Sequence, residues 1–253
     1  VLLLAALGLA GVPRAEAQPH VDVLFYDLGG QVGVGATDFG PPFVRLPDVR
    51  VFPVALDGGV VTSSPGFTAS EAPPAGGPLP GRAAVSFDVV PIASLGGRNL
   101  SRWDREPPVV FAAPSGAFVT IEQASCLACS IVRVDGSADE KPGFVLGTTT
   151  ASGSLHRHHD FFLDPPSAPA GVYLFAMRGR VEGLAPSEPF FVLLGKQASP
   201  AQLAEAKEWV EGNLLVPEPE PTSAGLAAAL ALAAVAGRRR RQPPVIESRI
   251  AKS

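Results

Sequence analysis

"HVDVLFYDLGGQVGVGATDF", residues 20–39, is the stretch on which the fold turns. His20, Asp22, Leu24 and Tyr26 alternate with Val21, Val23, Phe25 and Asp27, and the run ends at Gly29-Gly30. β-branched and aromatic residues alternating in this way and stopped by glycines predict a strand and a turn. The same signature recurs along the chain, in "VRVFPVAL" (49–56), "AAVSFDVVPI" (83–92), "PPVVFAA" (107–113), "GAFVTIEQAS" (116–125), "SIVRVDG" (130–136) and "GFVLGTTT" (143–150). "SLHRHHDFFL" (154–163), "GVYLFAMRGRVEG" (171–183) and "SEPFFVLLG" (187–195) complete the series. Residues 57–82 carry many Gly, Pro and Ser residues without periodicity and read as a long loop, and "GGRNLSRWDRE" (96–106) reads as a polar bend.

Many short strands at near-regular spacing predict an all-β fold, an antiparallel Ig-like β-sandwich with long loops, over residues 18–198. The 27 Gly and 27 Pro residues of the 253-residue chain suit turns rather than long helices. One amphipathic helix is expected over 199–215. Ser199 and Gln202 there form a capping box around Pro200, and Leu203, Ala206 and Val210, flanked by Trp209, make an apolar stripe. No glycine-rich phosphate motif follows a strand, so a nucleotide-binding fold is not expected.

Both ends carry targeting patterns. Val1 to Val12 is uncharged and apolar, Pro13 follows, and Ala15-Glu16-Ala17 supplies small residues for cleavage, so residues 1–17 read as a signal peptide. At the other end a Pro/Glu linker (216–221) precedes an uncharged run from Thr222 to Gly237 and then Arg238, Arg239, Arg240 and Arg241. Residues 222–241 read as a transmembrane helix with an Arg-rich stop. The arginines hold residues 242–253 in the cytoplasm as a short tail.

This tail resembles the PEP-CTERM sorting signal of Gram-negative bacteria: a Pro-Glu-Pro motif, a short apolar helix and an Arg-rich end. Pro217-Glu218-Pro219 and Pro219-Glu220-Pro221 supply two overlapping copies of the motif. The resemblance implies an exosortase-like processing enzyme as partner, membrane attachment through the C-terminal helix, and delivery to the cell envelope or extracellular surface. Between the two signals, residues 18–216 hold 13 Lys and Arg against 20 Asp and Glu, a net charge of −7. That balance argues against nucleic acid as a partner. It suits the cell exterior, where extracellular matrix or polysaccharide is available.

"GSLHRHHDFFL" (153–163) contains three of the four histidines. Read as one strand, it sets His156, His158 and Asp160 on one face and Arg157, His159 and Phe161 on the other. Two imidazoles and a carboxylate on one face are ligands that zinc and its neighbours accept. Should the first strand lie beside this one, His20 adds a third imidazole, with Asp160 or Asp22 as the fourth ligand. His159 points away from the others.

The domain also resembles exported bacterial surface proteins in which an H-x-H strand precedes a G-V-Y strand and an H-x-D strand opens the chain. Zinc-repressor-controlled PEP-CTERM proteins and an actinobacterial surface-anchored domain are examples. The resemblance covers residues 20–30 and 153–213 and implies zinc-linked surface binding through His20, His156 and His158.

Cys126 and Cys129 form a C-x-x-C pair expected to close a small disulfide outside the cell. No nucleophile elbow or paired catalytic carboxylate stands out, so a non-enzymatic role is expected. The competing readings are a structural or adhesive matrix protein without metal, and a metal-dependent hydrolase, which needs an open coordination position and a nearby base.

Overall fold

A computed structural model describes residues 20–123 and 130–215. The signal peptide (1–17), Cys126 and Cys129, the Pro/Glu motif (Pro217 to Pro221), the membrane helix with Arg238 to Arg241, and the tail (242–253) lie outside the described residues. The described chain is mostly β, with one α-helix. In order it runs β1 (Val21–Asp27), β2 (Val32–Asp38), β3 (Val44–Pro47), β4 (Val51–Ala55), β5 (Val61–Thr62), β6 (Phe67–Ala69), β7 (Ala84–Val90) and β8 (Ser101–Trp103). It continues with β9 (Phe118–Glu122), β10 (Ile131–Val134), β11 (Lys141–Thr148), β12 (Leu155–Arg157), β13 (Asp160–Asp164), β14 (Gly171–Val181), β15 (Phe190–Lys196) and α1 (Pro200–Leu214).

Glycine chemistry sets the first hairpin. Gly29 and Gly30 take positive φ, and the Leu28 amide donates to the Gln31 carbonyl at 2.8 Å, closing a two-residue turn whose twist matches the flanking strands. β1 and β2 then pair from Val21↔Asp38 to Asp27↔Val32. The first sheet continues outward in the order β12-β6-β1-β2-β3. A second runs β10-β9-β13-β5, and a third runs β11-β7-β14-β15-β4, with β8 paired to β14.

Four expectations need correction, the first being the polar bend 96–106, which instead holds β8 and fully buries Leu100 and Trp103. The sheets are not purely antiparallel: β6 runs parallel to β1, and β4 parallel to β15. The segment 57–82 is not only a loop, because β5 and β6 lie in it, and β6 is interior to the first sheet. "PPVVFAA" forms no strand, contributing a single bridge between Ala112 and Arg102. Three-residue strands such as β6 are too short to show a period of two, so pairing rather than local pattern defines them.

Alternation in β1 sends Val23 and Phe25 into the core, where Phe25 meets Phe67 at 6.1 Å and Phe190 at 5.9 Å. Phe67 in turn stacks on Phe87 at 6.4 Å, which ties the first sheet to the third. All four rings are fully buried, and each such burial contributes about 1.5–3 kcal/mol. The opposite face of β1 carries His20, Asp22, Leu24 and Tyr26.

The helix is capped as its sequence dictates. The Gln202 amide donates to Ser199 Oγ at 3.2 Å, and the Ser199 amide donates to Gln202 Oε1 at 2.9 Å. Leu203, Ala206 and Val210 are its buried residues, packed toward β4 and β15, and Trp209 meets Phe111 at 5.2 Å. Among the described residues, no helix is long and apolar enough to cross a membrane.

Candidate metal centre

The first sheet gathers the candidate ligands on its outer face. β6 pairs with β1 so that Thr68 sits opposite Leu24, and β12 pairs with β6 so that His156 sits opposite Thr68. β1 and β12 are therefore not neighbours; β6 separates them. Two strand spacings amount to about 9.5 Å, and side chains from both sides close that distance over Gly66, the residue just before β6. A Cβ at Gly66 would lie 2.7 Å from Asp22 Oδ2 and 2.7 Å from His158 Cε1. The missing side chain is the space in which the ligands converge.

His20, Asp22, His156 and His158 each offer one ligand atom, and the four atoms lie within 4.8 Å of one another. Around Asp22 Oδ2 stand His156 Nε2 at 3.1 Å, His20 Nε2 at 3.5 Å and His158 Nε2 at 3.6 Å. His156 Nε2 and His158 Nε2 are 3.0 Å apart. A tetrahedral ion with bonds of about 2.0–2.1 Å has donor–donor edges of about 3.3 Å, and these four distances bracket that value. The group could hold a metal ion.

Proton accounting points the same way. His158 Nδ1 lies 2.9 Å from the Ser63 carbonyl, which only accepts, so Nδ1 carries the hydrogen and Nε2 of the neutral ring presents its lone pair. His156 Nε2 faces both that lone pair and the carboxylate, and one hydrogen on it serves only one of these contacts. A central cation satisfies all of them together.

Asp22 is fully buried, and its Oδ1 accepts from the Gly66 amide at 2.8 Å, which leaves Oδ2 turned toward the imidazoles. Among the described residues, no Lys or Arg pairs with it. A buried carboxylate without a cation is costly. The histidines are 20% (His20), 47% (His156) and 33% (His158) exposed, so an ion resting on the buried carboxylate is reachable from solvent.

Asp160, expected beside His156 and His158, is not in this group; Asp22 supplies the carboxylate. The "HRHHD" run is not one strand. It leaves the first sheet after Arg157 and enters the second sheet at Asp160, so alternation does not carry across the break. Asp160 pairs opposite Glu122 in that second sheet.

His159 lies in the core, 2% exposed, with Phe144 at 5.2 Å and Phe67 at 6.1 Å. Burial holds its pKa below the usual 6.5, only partly offset by the Leu146 backbone and Asp160.

Three supporting residues were invisible to sequence reasoning. Gly66 and Ser63 fall in the Gly/Pro/Ser-rich segment, where nothing marks them. Phe39 stacks on His20 at 4.7 Å and on His156 at 5.0 Å, and its amide donates to the His20 carbonyl at 2.9 Å. Its place at the end of β2, opposite His20, follows from the hairpin register alone. No protein-family model, curated protein or solved structure matches this chain.

Proposed function

We propose that the chain is an exported, surface-sorted, non-enzymatic protein whose Ig-like β-sandwich binds a transition metal, zinc above all, through His20, Asp22, His156 and His158. The observation that carries the reading is the spacing of the four donors, which approximates the edges of a zinc tetrahedron. Three imidazoles and one carboxylate are a donor set suited to zinc, copper or nickel, whereas calcium and magnesium take oxygen ligands. Four protein donors fill a tetrahedral shell, which favours binding over hydrolysis, since a hydrolytic zinc keeps a position for water.

The full chain, purified without chelator, is expected to carry one zinc per molecule by mass-spectrometric metal analysis. Free zinc at about one hundred times Kd stabilises a folded site by about 2.7 kcal/mol. For a domain of this size that shift moves Tm by roughly 5–10 °C. Absence of stoichiometric metal together with an unchanged Tm in chelator would remove the metal from the proposal and leave the structural or adhesive role.

Export and sorting rest on the signal peptide pattern, the paired Pro-Glu-Pro motif and the apolar run before Arg238 to Arg241. Alanine at Pro217, Glu218, Pro219, Glu220 and Pro221 is expected to leave the protein in the cytoplasmic membrane of the native host. Unaltered surface labelling of intact cells would refute that role for the motif.

A further inference from the structure

A cleft of about 370 Å³ opens on the same outer face, immediately beside the metal site, and shares His156 and Phe39 with it. The volume is within the range of small-ligand sites, about 300–1,000 Å³. Its charge is opposite to that of the surrounding domain. Arg45 and Arg157 line it, and Glu71 is the sole carboxylate on its lining, in a region of net charge −7. Among the described residues, neither guanidinium has an ion-pair partner.

The rest of the lining is amphipathic. The floor carries Thr37 and Thr68, whose hydroxyls are 2.9 Å apart, and Thr68 passes its own hydrogen to the Val23 carbonyl. The rim adds the half-buried Ser154 and exposed Thr150, whose Oγ1 already accepts from the Ser154 amide at 3.0 Å and lies 3.0 Å from Ser152 Oγ. On the other side Phe43 is 49% exposed, packed edge-on against Phe39 at 5.4 Å, with the Arg45 guanidinium 4.7 Å from its centroid. This couples an apolar ring face to a fixed cation.

The geometry points to a binding site for an anionic saccharide. A pyranose bearing a carboxylate or sulfate offers a C–H face for Phe43, hydroxyls for the Ser and Thr rim, and an anionic group for either Arg45 or Arg157, which line separate sides of the cleft. A plain phosphate or sulfate ion uses only the arginines, and a neutral sugar leaves them unused. A second consequence rests on the proposed metal site. A divalent ion on the single negative charge of Asp22 adds net positive charge at the His156 corner of the cleft, so metal loading strengthens binding of the anion.

The test is calorimetric titration of the full chain, in chelator and after zinc loading, with oligogalacturonate, a sulfated galactan oligomer and the neutral galactan of equal length. One or both anionic sugars are expected to bind in chelator, and which of them binds identifies the anion. The neutral chain should bind at least about tenfold more weakly, and zinc should tighten the anionic sugar about threefold. The pair Arg45→Ala and Arg157→Ala should cost about tenfold or more in both states.

Phe43→Ala leaves the charge unchanged, so its loss of sugar affinity separates a saccharide site from a general anion site. Equal binding of neutral and anionic chains, no loss in the double arginine variant, or sulfate ion matching the oligosaccharides would overturn the assignment. Failure of the metal reading is distinguishable, because sugar binding in chelator does not require the ion. His20→Ala with His158→Ala, two metal ligands outside the cleft lining, should abolish the zinc effect while retaining that binding.

Discussion

Replacing His156 and His158 together by alanine is expected to remove bound zinc from the full chain. Apparent binding free energies of structural zinc sites are about 10–16 kcal/mol, or about 3 kcal/mol for each of four ligands. Loss of two ligands therefore weakens binding by about 10⁴-fold. Both side chains are partly exposed and lie outside the hydrophobic core, so the metal-free variant should keep the parent's fold, melting lower because buried Asp22 loses its His156 contact at 3.1 Å. Asp160→Asn is the contrast: it belongs to the second sheet and should leave zinc affinity unchanged. Asp22→Asn should behave like the histidine changes, since it removes the buried charge on which the ion rests. Competition against a chromophoric chelator measures all three. Full zinc affinity in the double histidine variant would show that the ion sits elsewhere.

Gly66→Ala should produce the second largest effect, from a residue that touches no metal. Its new Cβ would lie 2.7 Å from Asp22 Oδ2, 2.9 Å from Asp22 Cγ and 2.7 Å from His158 Cε1, all closer than real Cβ contacts. The backbone has little room to retreat. The Gly66 amide donates to Asp22 Oδ1 at 2.8 Å, and its carbonyl accepts from the Val23 amide at 2.9 Å. Asp22 and His158 must give way instead. Displacing the supports of metal ligands typically costs 10–100-fold in affinity, and about that loss is expected here with the fold retained by circular dichroism. Unchanged affinity would mean that the ligands do not converge over this position.

The two cases also separate what was legible in the sequence from what was not. Alternation in 20–27 and the Gly29-Gly30 stop are local features, and β1 and its turn follow from them. The Ser199 and Gln202 pair is equally local, and both of its hydrogen bonds form. The three convergent histidines could be named because His20, His156 and His158 are scarce residues at readable offsets.

Strand order is not a local property. Nothing in "SSPGFTAS" announces that Phe67–Ala69 enters the first sheet between β1 and β12. Without that strand, neither Gly66 nor the Ser63 carbonyl could be connected to the site. The misplacement of Asp160 has the same origin. Alternation identifies a shared face only while a strand continues, and the crossing from one sheet to another between Arg157 and Asp160 leaves no mark in residue type.

The most direct test of the central claim is zinc K-edge X-ray absorption on the full chain loaded with one equivalent of zinc. Four nitrogen or oxygen neighbours at about 2.0–2.1 Å, with the outer-shell scattering of three imidazoles, are the expected result. Sulfur neighbours at about 2.3 Å would contradict it and move the ion to Cys126 and Cys129. A six-oxygen aqua spectrum would show that the chain does not hold zinc at all.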